Sequence, residues 1–176
     1  AHDPEIVSHL LQWWITGGPV SLFMLGASYC GEPAVAAQAG GMEAVAALPS
    51  WAEQVSRNPR NRDRILAQDP RQFIATMERW ISAFIPSDES PVPGMSRQHF
   101  EKLTMPVLIF RGGETDIWHP AKISDWVHRL VPHSRLVDAP WADEAPMRRL
   151  TDTALTGASP FLDWPSLAPQ ILEFTT

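Results

Sequence analysis

A carboxylate and an imidazole, two groups that often work together in catalysis, lie three positions apart in this chain. Asp116 and His119 follow the predicted strand 106–110, an apolar run that a proline opens, and the glycines Gly112 and Gly113. A short apolar run bounded by proline and glycine is typical of a buried parallel strand. Because ligands and catalytic groups collect at the carboxyl ends of such strands, the sequence predicts that chemistry takes place on this loop.

An aspartate can orient a neighbouring imidazole and stabilise its cationic form. Asp116 is therefore the expected catalytic acid, and His119 is a general base if its imidazole reaches a nucleophile. The simpler interpretation stays open: Asp116 caps the following helix or its own turn, and His119 pairs with Asp116 or faces solvent.

Two tryptophans follow the predicted strands at their carboxyl ends. Trp118 and Trp141 are candidate substrate-binding residues, since two indoles beside a site suit an apolar or aromatic substrate. The alternative is that they only fill the core. Glu114, Asp116 and His119 could also supply ligands to a metal ion, but a real site needs three or four converging ligands. We therefore expect neither a metal nor a cofactor.

The elements that position the loop are predicted to form a β-α-β unit. A helix is predicted from Pro120 to Val131, because its apolar residues recur at helical spacing, and a second strand covers Ser134–Asp138. Such strands are parallel and joined by a right-handed crossover. Helices are predicted over 143–154 and from Ser166 to Phe174.

The first hundred residues show no alternation of period two and are predicted to be helical. Asp3-Pro4 indicates a helix to about Ile15, followed by helices over 19–29 and 70–84. The stretch Pro86–Gly94 is the best linker. This gives a helical region at 1–94 and an α/β region at 95–176.

Composition excludes several classes of function. The 176 residues carry a net charge of −6 and show no basic stripe, which argues against nucleic-acid binding. The single cysteine, Cys30, cannot form an intrachain disulfide, which fits a cytoplasmic location. The uncharged run Leu10–Gly31 is broken by Gly17-Gly18-Pro19, so short apolar helices are favoured over a membrane span.

The predicted strand, the motif Gly113-Glu114-Thr115-Asp116 and the following Pro120 together resemble the catalytic-acid loop of the α/β-hydrolase superfamily. The resemblance implies that residues 1–94 are a helical cap, or lid, and that 95–176 are the C-terminal part of the core. It further implies hydrolysis of a small apolar ester, amide or C–C bond substrate, with Asp116 as the acid of the triad.

The sequence departs from the family pattern in two places. The family serine lies in a G-x-S-x-G turn, which this chain lacks, and the family histidine follows the last strand, where this chain has Ala139–Glu144. Two hypotheses remain. The chain is either part of a serine-type hydrolase whose nucleophile lies elsewhere, or a non-catalytic binding or interaction module on the same scaffold.

Two predicted strands cannot form a sheet covered on both faces, and one of them leaves an unpaired edge. We therefore expect the chain to fold against another polypeptide in a hetero-oligomer, most simply the N-terminal half of the same protein, which carries the nucleophile. A first residue other than methionine fits a processed subunit or fragment.

Overall fold

The computed structural model describes residues 3–176, which fall into two compact units. One unit comprises the chain up to Ser21 together with Pro86–Thr176, and it contains the sheet. The other unit, Leu22–Ile85, is helical. The mixed α/β class predicted from the sequence is confirmed.

The described chain contains one sheet, and its strands are all parallel. In chain order they are β1 (Leu10–Gln12), β2 (Val107–Arg111) and β3 (Arg135–Asp138). The spatial order is β1-β2-β3. In register, Leu11 of β1 lies opposite Leu108, and Ile109 lies opposite Leu136 of β3.

The α-helices of the described chain are distributed over both units. In chain order they are α1 (Pro19–Gly26), α2 (Glu32–Ala47), α3 (Pro49–Arg57), α4 (Arg60–Leu66), α5 (Pro70–Ile81), α6 (Arg97–Glu101), α7 (Ala121–Leu130), α8 (Ala145–Thr156) and α9 (Ala168–Thr175).

The predicted helix from Asp3 to Ile15 is wrong. A single 3₁₀ turn, Pro4–Ile6, is followed by strand β1. The three residues of β1 are all half-buried, so the strand carries no alternating pattern. It forms because β2 offers its backbone edge, with the Leu10 N–H donating to the Pro106 carbonyl at 2.9 Å. A tertiary pairing thus overrides the local helical signal.

Strand β2 is covered on both faces, contrary to the expectation from two strands. On one face, Val107 and Ile109 pack with Val127 and Val131 of the α7 segment. On the other face, Leu108 and Phe110 pack against Leu167 just before α9. Burial on both faces explains why β2 is continuously apolar.

The β-α-β prediction is confirmed with shifts of one residue at the ends of its elements. The α7 stripe of apolar residues faces the sheet, as its period predicts. The predicted helix over 70–84 is also confirmed, as α5 followed by a 3₁₀ turn, Ser82–Phe84. Asp69 caps α5, since its carboxylate accepts from the Gln72 N–H at 2.9 Å.

The helical unit packs around Cys30, Val45, Ile65, Phe73 and Met77. Helix α1 continues through a π-helical segment, Ala27–Gly31, into α2.

The whole helical run, Pro19–Ala47, is long and apolar enough to cross a membrane by length and composition alone. Its most apolar stretch has a mean hydropathy of 1.2, and 33% of that stretch is buried in the protein.

Within α2, Gly40 and Gly41 depart from helical geometry, with Gly41 at a φ of +67°. A bend with a positive φ at this point suits glycine, which has no Cβ to clash.

Candidate functional site

The loop between β2 and α7 is closed at its base by backbone contacts. The Ala121 N–H donates to the Gly113 carbonyl at 2.9 Å, and the Gly112 N–H donates to the buried Ser124 hydroxyl at 3.0 Å. A Cβ atom at Gly112 would lie 1.9 Å from the carbonyl oxygen of His119. This close approach of two backbones is why glycine stands here.

Asp116 lies inside this loop with only 1% of its side chain exposed. Its Oδ1 atom accepts hydrogen bonds from the N–H groups of Trp118 at 2.8 Å and His119 at 3.0 Å. Its Oδ2 atom lies 3.0 Å from Nδ1 of the His119 ring. Asp116 therefore caps its own turn and orients an imidazole at once.

Burial and hydrogen bonding act on the Asp116 carboxyl in opposite directions. Burial by itself raises the pKa of Asp116, because the charged form loses its hydration. The hydrogen bonds from the His119 side chain and from the two backbone N–H groups outweigh this, and the resulting pKa lies below its ordinary value. The carboxylate is thus held ionised within the fold.

The contact with Asp116 decides which nitrogen of His119 is available. When Nδ1–H donates to Oδ2, the neutral ring keeps its lone pair on Nε2. Within the described chain, Nε2 makes no hydrogen bond. The His119 side chain is 16% exposed, so the ring is largely enclosed but still accessible. This arrangement suits a general base that awaits a proton donor.

Trp14, just beyond β1, covers one face of the His119 ring. The two rings are stacked, with centroids 5.2 Å apart and planes 19° from parallel. Trp14 adopts a positive φ of 49°, which is unusual for a bulky residue and costs energy. Edge-to-face contacts with Trp141 at 6.3 Å and Trp164 at 5.7 Å hold its indole.

Asp143, which follows β3, holds the loop through hydrogen bonds from Thr115. Its Oδ2 atom accepts from the Thr115 N–H at 2.9 Å and from the Thr115 hydroxyl at 2.7 Å. The Thr115 hydrogen bonds lower the pKa of Asp143. A Cβ at Gly113 would lie 2.3 Å from Oδ1 of Asp143, so a glycine at this position leaves room for the Asp143 carboxylate.

Arg111, the last residue of β2, ties the loop to α7. It forms a bidentate pair with Asp125 at 2.7 and 2.9 Å and contacts Glu114 at 2.8 Å. The Arg111 hydrogen bonds lower the pKa of Asp125. Glu114 is therefore engaged with an arginine. Among residues 3–176, no group of three or more His, Cys, Asp or Glu could hold a metal ion.

Of the four residues predicted to belong to the site, Asp116 and His119 are in direct contact. Trp141 is half-buried and lines a cavity of about 140 Å³ beside Gly113 and Asp143. Trp118 is also half-buried; it lines neither this cavity nor one of about 240 Å³ on the other side of the loop.

Sequence reasoning missed Trp14 and Asp143. Trp14 was assigned to a helix of the cap, and only the recognition of β1 would have placed it at the same sheet edge as Asp116. Asp143 lies five residues beyond β3. Its position after a parallel strand is the signal that could have identified it.

Replacement of Gly112 by alanine is expected to disrupt the site. The new methyl group meets a backbone atom that cannot rotate away, so the loop must shift, at a cost of about 1–3 kcal/mol. The expected result is a lower midpoint of urea unfolding and a weaker near-ultraviolet circular dichroism signal from the tryptophans. Gly31→Ala is the control, because its nearest neighbours lie at 3.8 and 3.9 Å. An unchanged midpoint and spectrum for Gly112→Ala would contradict the close approach.

Asp116→Asn is expected to remove the part of the pH dependence of stability that arises from the Asp116 carboxyl. Because the folded pKa of Asp116 lies below its unfolded value, its contribution is fully present above about pH 4 and disappears as the pH falls through the folded pKa. Urea unfolding between pH 7 and pH 3 should show the stability difference between wild type and variant shrinking below about pH 4. Asp88→Asn, in an exposed loop, is the control. A difference that stays constant or grows on acidification would refute the assignment.

Comparison with known proteins identifies no relative of this chain: no family model, no curated protein and no solved structure matches it.

Proposed function

We propose that this chain is the C-terminal portion of an α/β-hydrolase-like enzyme that hydrolyses a small apolar ester, amide or C–C bond substrate. The observation that carries the proposal is the contact of a buried, ionised Asp116 with Nδ1 of His119, which leaves Nε2 free. This is the geometry of an acid–base pair that activates a nucleophile.

The order of the elements supports the same proposal. A parallel strand is followed by a helical unit, and the chain then returns to pair a second strand beside the first. In the hydrolase family a helical cap is inserted before the strand that carries the acid. On this proposal the helical unit, residues 22–85, corresponds to the cap, or lid, of that family, and the location is cytoplasmic.

In the proposed reaction, His119 replaces the histidine that the family carries after the last strand. Nε2 accepts the proton of a serine hydroxyl while the serine oxygen bonds to the substrate carbonyl carbon. The protonated imidazole, stabilised by Asp116, then gives its proton to the leaving group, and water releases the acyl group by the same steps in reverse order. Trp14 and Trp141 supply apolar surface beside this site.

The nucleophile must come from outside the described residues, since no hydroxyl or thiol in residues 3–176 hydrogen-bonds to Nε2. One further feature supports a completing polypeptide: within the described chain β1 pairs only with β2, so one edge of this strand stays open.

A second candidate function takes the lack of a hydroxyl or thiol bonded to Nε2 within residues 3–176 at face value. In that case the chain is a non-catalytic binding or interaction module, in which Trp14 and Trp141 present an apolar surface and His119 only stabilises the loop.

One experiment separates the two functions. The complete native protein, isolated through a tag on this chain, is incubated with a fluorophosphonate probe and with short p-nitrophenyl esters. The enzyme proposal predicts labelling of a serine and turnover that falls about 10²- to 10⁴-fold in Asp116→Asn and His119→Ala. His128→Ala on α7, also half-buried but bonded to Ser134, should keep full activity.

Each other outcome has a defined meaning. If no polypeptide is labelled and no ester is turned over, the binding module replaces the enzyme. If turnover survives His119→Ala, this residue is not the base, and the catalytic histidine lies elsewhere in the complete protein.

A further inference from the structure

The helical unit contains a cavity of its own, separate from the Asp116 loop. It has a volume of about 600 Å³, which lies within the range of about 300–1,000 Å³ typical of small-molecule sites. Its walls come from the π-helical segment after α1 and from α3, α4 and the end of α5 with its 3₁₀ turn. The cavity therefore lies wholly within residues 22–85.

Aromatic side chains dominate the wall of this cavity. Tyr29, Trp51, Trp80 and Phe84 all line it, and the buried Ile65 contributes to its floor. Tyr29 and Trp80 are 61% and 56% exposed, although large aromatic surfaces usually bury themselves. Apolar surface gathered around a cavity, rather than scattered singly, is a common feature of ligand-binding grooves and interaction sites.

The cavity has one charged lining residue, Arg64 on α4. Within the described chain Arg64 forms no ion pair. Of the nearby arginines, Arg57 is paired with Glu53 and Arg62 with Glu43, each at 2.6 Å, whereas Arg60, which has no ion pair in the described chain either, does not line the cavity. No acidic side chain lines the cavity. A guanidinium without a partner beside an apolar cavity is complementary to a carboxylate, which it can bind through two parallel hydrogen bonds.

The remaining polar lining groups are uncharged, and some already have partners. The Asn61 side-chain amide donates to the Gln54 carbonyl at 3.1 Å. Cys30, which also lines the cavity, is buried, and it contributes volume and apolar surface rather than charge.

We propose that the helical unit binds a monocarboxylate with an aromatic or alkyl body, which lies among Tyr29, Trp51, Trp80 and Phe84 while its carboxylate pairs with Arg64. This site is independent of the proposed hydrolytic function, because it involves none of the residues around Asp116 and His119. It gives the helical unit a binding role of its own beyond that of a lid.

The test measures binding of 2-naphthoate and decanoate to the full chain by isothermal titration calorimetry, with 2-naphthamide as the neutral counterpart. Wild type should bind both carboxylates and prefer 2-naphthoate over the amide. Arg64→Gln should weaken 2-naphthoate binding about tenfold or more, as expected for loss of a charged hydrogen bond, and leave binding of the amide unchanged. Trp80→Ala should weaken the binding of both 2-naphthoate and 2-naphthamide.

Matched controls separate the site from general effects of charge and apolar surface. Arg57→Gln removes a neighbouring exposed cation, and Phe23→Ala removes an aromatic ring that is 72% exposed and outside the cavity; both should bind like wild type. Circular dichroism checks that every variant is folded. The proposal is overturned if wild type binds neither carboxylate, if Arg64→Gln or Trp80→Ala binds 2-naphthoate like wild type, or if the amide binds as tightly as the carboxylate.

Discussion

The contact on which the site depends is the set of three hydrogen bonds that the buried Asp116 carboxylate receives. A carboxylate removed from water is costly unless donors replace its hydration. Here the donors are two backbone N–H groups of its own turn and the Nδ1 group of His119. Three donors can be aimed at one side chain only if the loop is wound tightly around it, and this requirement determines much of the surrounding sequence.

The glycines and the polar anchors of the loop follow from that winding. Gly112 lets the chain pass against the His119 carbonyl, and Gly113 leaves room for Asp143. Asp143 in turn holds Thr115. Because β1, β2 and β3 are parallel, their carboxyl ends meet at one edge of the sheet. Trp14, the Asp116 loop and Asp143 are each supplied by a different strand end, which is why residues far apart in sequence form one site.

The same arrangement leaves one nitrogen of the imidazole without a partner in the described chain. His119 has an oriented ring, a partner on Nδ1 and a stacked indole on one face, but no hydroxyl of residues 3–176 hydrogen-bonds to its Nε2. The buried oxygen of Gln12 and the buried Trp14 indole nitrogen lack partners near β1, whose outer edge is unpaired.

The sequence predicted the elements whose signals are local. Strand β2 was recognisable from its uninterrupted apolar run between proline and glycine, and α7 from its apolar stripe. The pairing of Asp116 with His119 was accessible because the two lie in one turn. Strand β1 was not, since three half-buried residues carry no period and form a strand only beside β2.

Errors at the site followed from the error in the fold. Because the sequence predicts a helix over the residues of β1, Trp14 falls in the predicted helical region and not at the edge of the sheet. The role of Asp143 depends on a contact with Thr115 across 28 residues of sequence, which no local pattern encodes. In the helical unit the predicted helix over 70–84 is present as α5 and the following 3₁₀ turn, and Asp69 caps it.

The central claim is that Asp116 fixes the His119 tautomer so that Nε2 is the basic nitrogen. The direct measurement is a long-range ¹⁵N–¹H correlation spectrum of histidine-labelled protein, recorded at a pH high enough for the imidazole to be neutral. The expected result is a protonated Nδ1 and an unprotonated Nε2 for His119, with the population moving toward Nε2–H in Asp116→Asn. A wild-type His119 protonated on Nε2, or tautomer populations unchanged in Asp116→Asn, would contradict the account.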